Sequence, residues 1–287
     1  MTRVTGPGPS LRSQWLGERM RRIRKGLRIP QQEAADHIQR NNSMLGRYES
    51  GEIPFRRNDV IDLLDFYGVS SELERNGLLQ LCDEVWRKDW WDPHTDDFGQ
   101  DFVDIPWLES RAERICVYQH IIVHGLLQTR EYADTLIRYG AGERTREVQI
   151  AKWIDLRIER QHVLHKDDPT RFAIVLEESA LVRPVGRREE MQAQLRLLAE
   201  LGELENIEVQ VIPTAVGPHA ALRGSFQLYE MPDPYPDVAH VETVGGSLYI
   251  EEPTVSHIRE VWKDLVESAL SPEESNALVK RYLEGEE

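Results

Sequence analysis

Residues 29–51 constrain the fold of this chain more than any other stretch. Small and apolar side chains recur at Ala34, Ala35 and Ile38, as expected for a short helix buried along one side. Pro30 suits the first turn of that helix, because the N–H it lacks has no partner there anyway. The pattern therefore predicts a short packed helix.

A second short helix is predicted after a three-residue turn, with Asn41 as its N-cap. Leu45 and Tyr48 share its buried face at i, i+3 spacing, and Gly51 closes it. Its other face carries Asn42, Ser43, Gly46 and Arg47. Two short helices joined in this way form a helix-turn-helix unit.

The polar face of this second helix has the chemistry to read DNA bases. An amide pairs with adenine edges, a guanidinium pairs with guanine edges and a hydroxyl pairs with either. The alternative is an ordinary surface helix in an all-helical domain. We favour a unit that binds double-stranded DNA.

The charge of the chain is segregated along its length. Residues 1–60 hold 12 basic and 6 acidic side chains, whereas residues 61–287 hold 23 basic and 44 acidic ones. A net charge of −15 spread evenly would oppose DNA binding, since phosphate contacts supply most non-specific affinity. A basic head on an acidic body instead predicts that only the head meets DNA.

Residues 1–12 are predicted to be a flexible basic tail, and residues 13–87 a domain of five helices. In the first helix a basic face surrounds an apolar stripe formed by Leu16, Met20, Ile23 and Leu27. Asn58 and Asp59 are expected to cap the fourth helix, and Ser71 with Glu74 the fifth.

Residues 88–106 are predicted to be an interdomain linker, because Pro93 and acidic residues interrupt the periodicity there. Trp90 and Trp91 are expected to dock the two domains together. Stacking on bases is the less favoured interpretation, since acidic residues surround them.

Residues 107–287 are predicted to be a mixed α+β domain, so that the fold class of the chain is α+β. Strands are predicted at 115–123, 171–177, 207–213, 225–230, 238–242 and 247–251. Helices are predicted at 130–139, 145–164, 188–201, 254–269 and 272–284.

The head resembles the lambda-repressor/Cro-like, or XRE, family over residues 16–68. Gln31 opens the second helix, and residues 47–51 read Arg-Tyr-Glu-Ser-Gly, as in that family. The resemblance implies that Gln31 holds a phosphate and that Arg24 pairs with Glu49 inside the domain. The predicted DNA contacts are Gln31, Arg40, Asn41, Asn42, Ser43, Gly46, Arg47 and Arg56.

The body resembles the domain of uncharacterised function in WhiJ-like, antitoxin-like transcriptional regulators. The matching motifs lie at 125–133, 183–186, 222–226, 231–234 and 248–253. This resemblance implies pairing with a small companion protein encoded nearby.

Several residues depart from the family patterns. Gln39 stands in place of the turn glycine, Arg40 in place of a buried apolar residue and Pro30 in place of a capping serine or threonine. Gly46 costs about 1 kcal/mol of helix propensity, which a close approach of the backbone to DNA would offset. His124 replaces a proline before Gly125.

The sequence thus predicts a transcriptional regulator that binds a palindromic operator as a homodimer, with a body controlled by a partner protein. A small-molecule-sensing body is the alternative, and no cofactor is expected. No apolar run reaches membrane-spanning length and no signal peptide opens the chain, so we expect the cytoplasm.

A metal-dependent enzyme is the weakest hypothesis. His162 and His165 lie near an Asp pair but complete no known zinc spacing. Glu177 and Glu178 point to opposite sides of a strand and make poor acid–base partners. His219 and His240 lie far apart in the sequence.

Overall fold

A computed structural model describes residues 10–87, 100–142, 145–243 and 246–285, with only the backbone at 100–103. The chain divides into two compact units. Unit 1 is Met1–Trp107 with Asp233–Tyr235, and unit 2 is Leu108–Pro232 with Pro236–Glu287. Within the described ranges, no helix has the length and apolar character needed to cross a membrane.

Unit 1 contains the five predicted helices. They are α1 (Leu11–Gly26), α2 (Gln31–His37), α3 (Asn42–Glu49), α4 (Arg57–Phe66) and α5 (Glu72–Trp86). Their core is formed by the apolar stripes seen in the sequence, because Leu16, Met20, Leu63, Leu64 and Leu81 are almost wholly buried.

The ends of α1 differ from the prediction. The hydroxyl of Ser10 accepts a hydrogen bond from Ser13 N, so the helix begins at Leu11, and Leu11 and Arg12 are buried rather than part of a tail that reaches residue 12. At the other end α1 stops at Gly26, which leaves Leu27 outside the core at 49% exposure.

The start of α4 also corrects the sequence analysis. Arg56, and not Asn58 or Asp59, is the N-cap residue of α4. Asp59 lies in the first turn and is buried. The prediction for α5 is confirmed, since Ser71 Oγ accepts a hydrogen bond from Glu74 N at 3.4 Å.

The segment predicted as a linker, residues 88–106, overlaps the first part of a further helix, α6 (Gln100–Arg111), which has Pro106 inside it. Hydrophobic periodicity did not reveal this helix, because it follows a proline- and acid-rich stretch. Trp90, Trp91 and the first part of the expected linker lie outside the described residues.

Unit 2 is built on a six-stranded mixed sheet. Its strands are β1 (Arg114–Gln119), β2 (Arg171–Glu177), β3 (Ile207–Ile212), β4 (Phe226–Glu230), β5 (Val238–Thr243) and β6 (Gly246–Ile250). The spatial order is β3-β2-β1-β4-β5-β6; β1 to β3 run parallel, and the pairs β1–β4, β4–β5 and β5–β6 are antiparallel. The predicted β5–β6 hairpin pairing is confirmed, and the α+β fold class with it.

The helices of unit 2 are α7 (Arg130–Gly140), α8 (Glu147–Arg160), α9 (Ser179–Val182), α10 (Arg188–Leu201), α11 (Thr254–Ser268) and α12 (Pro272–Glu284). One face of the sheet packs on α11, where Trp262 and Leu265 meet Tyr118 and Leu228. Of these helices only α9 was not predicted from the sequence, because a four-residue helix is too short to show a hydrophobic periodicity.

The motif at residues 125–133 joins several elements of unit 2 through its backbone. A 3₁₀ turn at Gly125–Leu127 precedes α7, and Gln194 from α10 donates to Leu127 O at 2.7 Å and accepts from Thr129 N at 2.8 Å. His124 caps this turn, because its Nδ1 accepts from Leu126 N at 3.3 Å. The imidazole therefore supplies an acceptor that the proline it replaces would lack.

Candidate nucleic-acid interface

Residues close together in the sequence determine where helices α2 and α3 begin and end. Four residues, 38–41, connect the two helices, one more than the predicted turn. Asn41 is the N-cap of α3, and its Oδ1 accepts from Met44 N at 2.7 Å. Pro30 is the N-cap of α2 rather than a residue of its first turn, and it makes no side-chain capping bond.

The two faces of α3 are as the spacing predicts. Leu45 and Tyr48 are buried, at 0% and 2% exposure. Asn42, Ser43 and Arg47 are exposed. An amide, a hydroxyl and a guanidinium thus lie together on one accessible side of a short, capped helix.

The connecting turn explains two of the departures from the family pattern. Gln39 adopts the left-handed conformation with φ of +55°, in place of the glycine usual there. Arg40 makes an ion pair with Asp59, with Nη2 3.1 Å from Oδ1, and Tyr48 O–H donates to Asp59 Oδ2 at 3.1 Å. Asp59 thereby replaces the apolar contact that a buried side chain at position 40 would make, and Arg40 points to a partner within the domain.

Gln31 and Gly46 lie against each other. Gln31 is the first residue of α2, and a β-carbon at position 46 would stand 3.0 Å from its Nε2. The sequence suggested that Gly46 brings the backbone close to DNA; the structure shows that its missing side chain leaves room for the amide of Gln31.

Arg47 has an intramolecular partner. Its Nη2 and Nε each lie 3.0 Å from Oε1 of Glu52, and both side chains are about half exposed, at 47% and 57%. Arg56 is exposed at the start of α4. Glu52 was not predicted as the ion-pair partner of Arg47. A carboxylate only five residues further along the chain could have suggested it.

A buried ion pair ties α1 to the end of α3. Arg24 Nε and Nη2 donate to the two carboxylate oxygens of Glu49 at 2.6 and 2.8 Å, and Arg24 Nη1 donates to Ile29 O at 2.9 Å. The hydrogen bonds that Arg24 donates to the Glu49 carboxylate raise the pKa of Arg24. The pair that the resemblance implied is therefore formed, and it orients both helices.

The structure brings together only some of the other candidate residues named in the sequence analysis. His162 and His165 are exposed, and no group of three His, Cys, Asp or Glu side chains in the described ranges is arranged to hold a metal ion. His219 Nε2 lies 2.7 Å from Glu177 Oε1, while His240 is in the core of the sheet.

A pair of short helices with a tight turn and a polar exposed face on the second helix defines the helix-turn-helix class of DNA-binding domain. A family model described as a helix-turn-helix domain matches residues 15–77. The domain of unknown function DUF5753 matches residues 102–281, well over half of the chain, and the protein belongs to that family. No characterised protein and no solved structure matches the chain.

Proposed function

We propose that this protein is a sequence-specific transcriptional regulator that places α3 in the major groove in the lambda-repressor/Cro-like, or XRE, manner. The observation that carries the proposal is the division of α3 into a buried side with Leu45 and Tyr48 and an exposed side with Asn42, Ser43 and Arg47. The excess of basic residues in the first 60 positions adds non-specific attraction to phosphates.

Each exposed side chain has a proposed role. Asn42, Ser43 and Arg47 read base edges, while Gln31, at the start of α2, binds a phosphate. Asn41, Gly46 and Arg56 border this face and were predicted as contacts. Arg40 was predicted as one too, and we now propose that it acts indirectly, because its guanidinium is held by Asp59.

The test is a mobility-shift assay on fragments of the protein's own upstream region, followed by selection of bound sequences from a random pool. Arg47→Ala should cost about 1–3 kcal/mol and relax preference at one base pair. Gln31→Ala should weaken binding to all sequences equally. Absence of any shift at low salt would overturn the proposal.

We further propose that the protein binds a two-fold symmetric operator as a homodimer. Half-sites for such a dimer lie one helical turn apart, about 34–36 Å. Sedimentation of the protein on DNA with one or two half-sites measures the stoichiometry. One protein per two-half-site fragment would contradict dimeric binding while leaving DNA binding intact.

The acidic body is proposed to bind a small companion protein, in the antitoxin-like arrangement that the WhiJ-like resemblance implies. With 23 basic and 44 acidic residues at 61–287, it favours a basic partner surface. Size-exclusion chromatography of the protein co-expressed with its small genomic neighbour tests this at low and high salt. Separate elution under both conditions would count against it.

A ligand-sensing body is the second candidate. It is favoured by His240, which is buried in unit 2 with neither ring nitrogen hydrogen-bonded.

A further inference from the structure

Four segments of unit 2 meet at one edge of its sheet. Strands β1, β2 and β3 run parallel, so all three end at this edge, and β4 begins there because it runs antiparallel to β1, with Phe226 opposite Tyr118. The segments that adjoin these strand ends are 120–124, 178–188, 213–217 and 218–225. We call them together the loop edge.

Hydrogen bonds of side chains join these segments to one another. His120 Nδ1 lies 2.7 Å from Ser225 Oγ, and Ser179 Oγ donates to His120 O at 2.5 Å. The carboxylate of Glu178 accepts from Thr214 N at 2.8 Å. Every segment is bonded to at least one other, so the loop edge is one braced surface rather than four independent loops.

Each segment of the loop edge exposes one large aliphatic side chain. These are Ile121, Val182, Val216 and Leu222, each between 39% and 65% exposed. Each lies within three residues of a residue that makes one of the bonds just described. Half of the large apolar side chains that the described part of unit 2 exposes lie here. Single exposed apolar residues are ordinary, whereas several gathered at one place mark an interaction site.

The loop edge is also basic, in contrast to the body as a whole. It contains four arginines and one carboxylate, whereas residues 61–287 hold 23 basic and 44 acidic side chains. The carboxylate, Glu178, is already occupied by Thr214 N and by the Tyr282 hydroxyl, which donates at 2.7 Å. Glu177, the last residue of β2, is held by His219. The arginines are Arg183, Arg187, Arg188 and Arg223.

Three of these arginines have no partner within the described ranges. Arg187 pairs with Glu190 at 2.7 Å, but Arg183, Arg188 and Arg223 make no ion pair or side-chain hydrogen bond there, and all three are exposed. The loop edge therefore combines free positive charge with exposed apolar surface.

We propose that the loop edge is a docking surface for an acidic, amphipathic segment of a partner protein. Aliphatic side chains of that segment cover the four exposed ones, and its carboxylates pair with the guanidinium groups of Arg183, Arg188 and Arg223. Arginine is enriched at protein interfaces, and its planar guanidinium matches a carboxylate in shape. Nucleic-acid phosphates are the less favoured occupant, because they would leave the aliphatic side chains uncovered.

This inference rests on the proposed companion protein, and states where it binds and which charge it presents there. The acidic body as a whole attracts basic groups at long range, whereas the loop edge requires carboxylates at the contact itself. We therefore expect the companion to have a mixed surface, with an acidic, apolar segment beside its basic one.

Isothermal titration of the full-length protein with its small genomic neighbour tests this surface. Leu222→Asp and Arg223→Glu should each weaken binding about tenfold or more, since one places a charge among the aliphatic side chains and the other reverses the charge at a proposed contact. Leu248→Asp and Arg171→Glu are the matched controls and should change the affinity less than about twofold. Leu248 is exposed on β6, and Arg171 is exposed at the start of β2, at the opposite edge of the sheet.

Hydrogen exchange of the unmodified protein gives a second measurement that needs no variant to fold. Amides of the loop edge should exchange more slowly in the complex than in the free protein. Protection confined to other regions, or unchanged affinity in both loop-edge variants, would overturn the docking surface and leave the companion in place. Absence of any complex with the unmodified protein would overturn both. If Arg223→Glu weakened binding to DNA alone, the loop edge would contact phosphates and the proposal would be wrong.

Discussion

The side-chain amide of Gln31 packs over the bare backbone of Gly46, at a place where a β-carbon would come within 3.0 Å of Nε2. The contact joins the first residue of α2 to the middle of α3. It links the residue proposed to bind phosphate to the helix proposed to read bases. The contact also explains why a glycine occupies a position inside α3.

Gly46→Ala should separate stability from DNA binding. Alanine adds up to about 1 kcal/mol of helix propensity, but its methyl group displaces the Gln31 amide. We expect unchanged or slightly higher stability in urea unfolding and weaker binding to every DNA sequence. Gly26→Ala is the matched control, because nothing lies within 4 Å of its β-carbon position. Full DNA affinity in Gly46→Ala would refute the role given to this contact.

Glu52→Gln should strengthen DNA binding, because it releases Arg47 from its ion pair. An exposed pair of this kind is worth up to about 1 kcal/mol, so the gain in affinity should reach about fivefold. Fluorescence anisotropy with labelled operator measures it. Asp83→Asn makes the same charge change in an equally exposed pair, with Arg57, and should gain much less. Equal gains would mean that only overall charge matters.

Glu49→Ala should destabilise the head strongly, because it leaves the Arg24 guanidinium buried without its carboxylate. Breaking such a pair costs about 3–5 kcal/mol, whereas removal of both charges is tolerated far better. Denaturant unfolding should therefore show the Arg24→Met/Glu49→Leu double variant to be more stable than Glu49→Ala. Glu18→Ala, which breaks an exposed pair with Arg22, should cost under about 1 kcal/mol. A small cost for Glu49→Ala would contradict the burial of the pair.

Unit 2 should lose stability in mild acid. His124 and His240 have folded pKa values of about 3 and about 4, below the ordinary 6.5, so the unfolded chain binds more protons between these limits. Stability is therefore fully present above pH 6.5 and falls as the pH drops, by about 1.4 kcal/mol per unit for each group. Thermal unfolding from pH 7 to pH 4 measures the slope.

Replacement of His240 by Gln should flatten that slope. Replacement of His257, whose side chain is exposed, by Gln should not. An unchanged slope in His240→Gln would show that its imidazole does not carry the effect.

Local patterns predicted the elements of this protein well. The cap at Asn41, the buried stripe of Leu45 and Tyr48, and the strand at 171–177 all depend on residues within one or two turns of each other. Such signals are visible in a single sequence because the backbone geometry of a helix or a strand fixes how often side chains return to the same face. The helix at 100–111 was not predicted, because no residues with helical hydrophobic spacing precede it and Pro106 lies inside it.

The sequence by itself determined the two-part organisation, the α+β class and the polar face of α3. Only the tertiary structure decided the partners: Asp59 for Arg40, 19 residues away, Gln31 beside Gly46, and the burial of His240 with neither ring nitrogen hydrogen-bonded. These contacts join residues whose spacing follows no helix or strand period. Their geometry depends on how whole elements pack, and no local pattern encodes that.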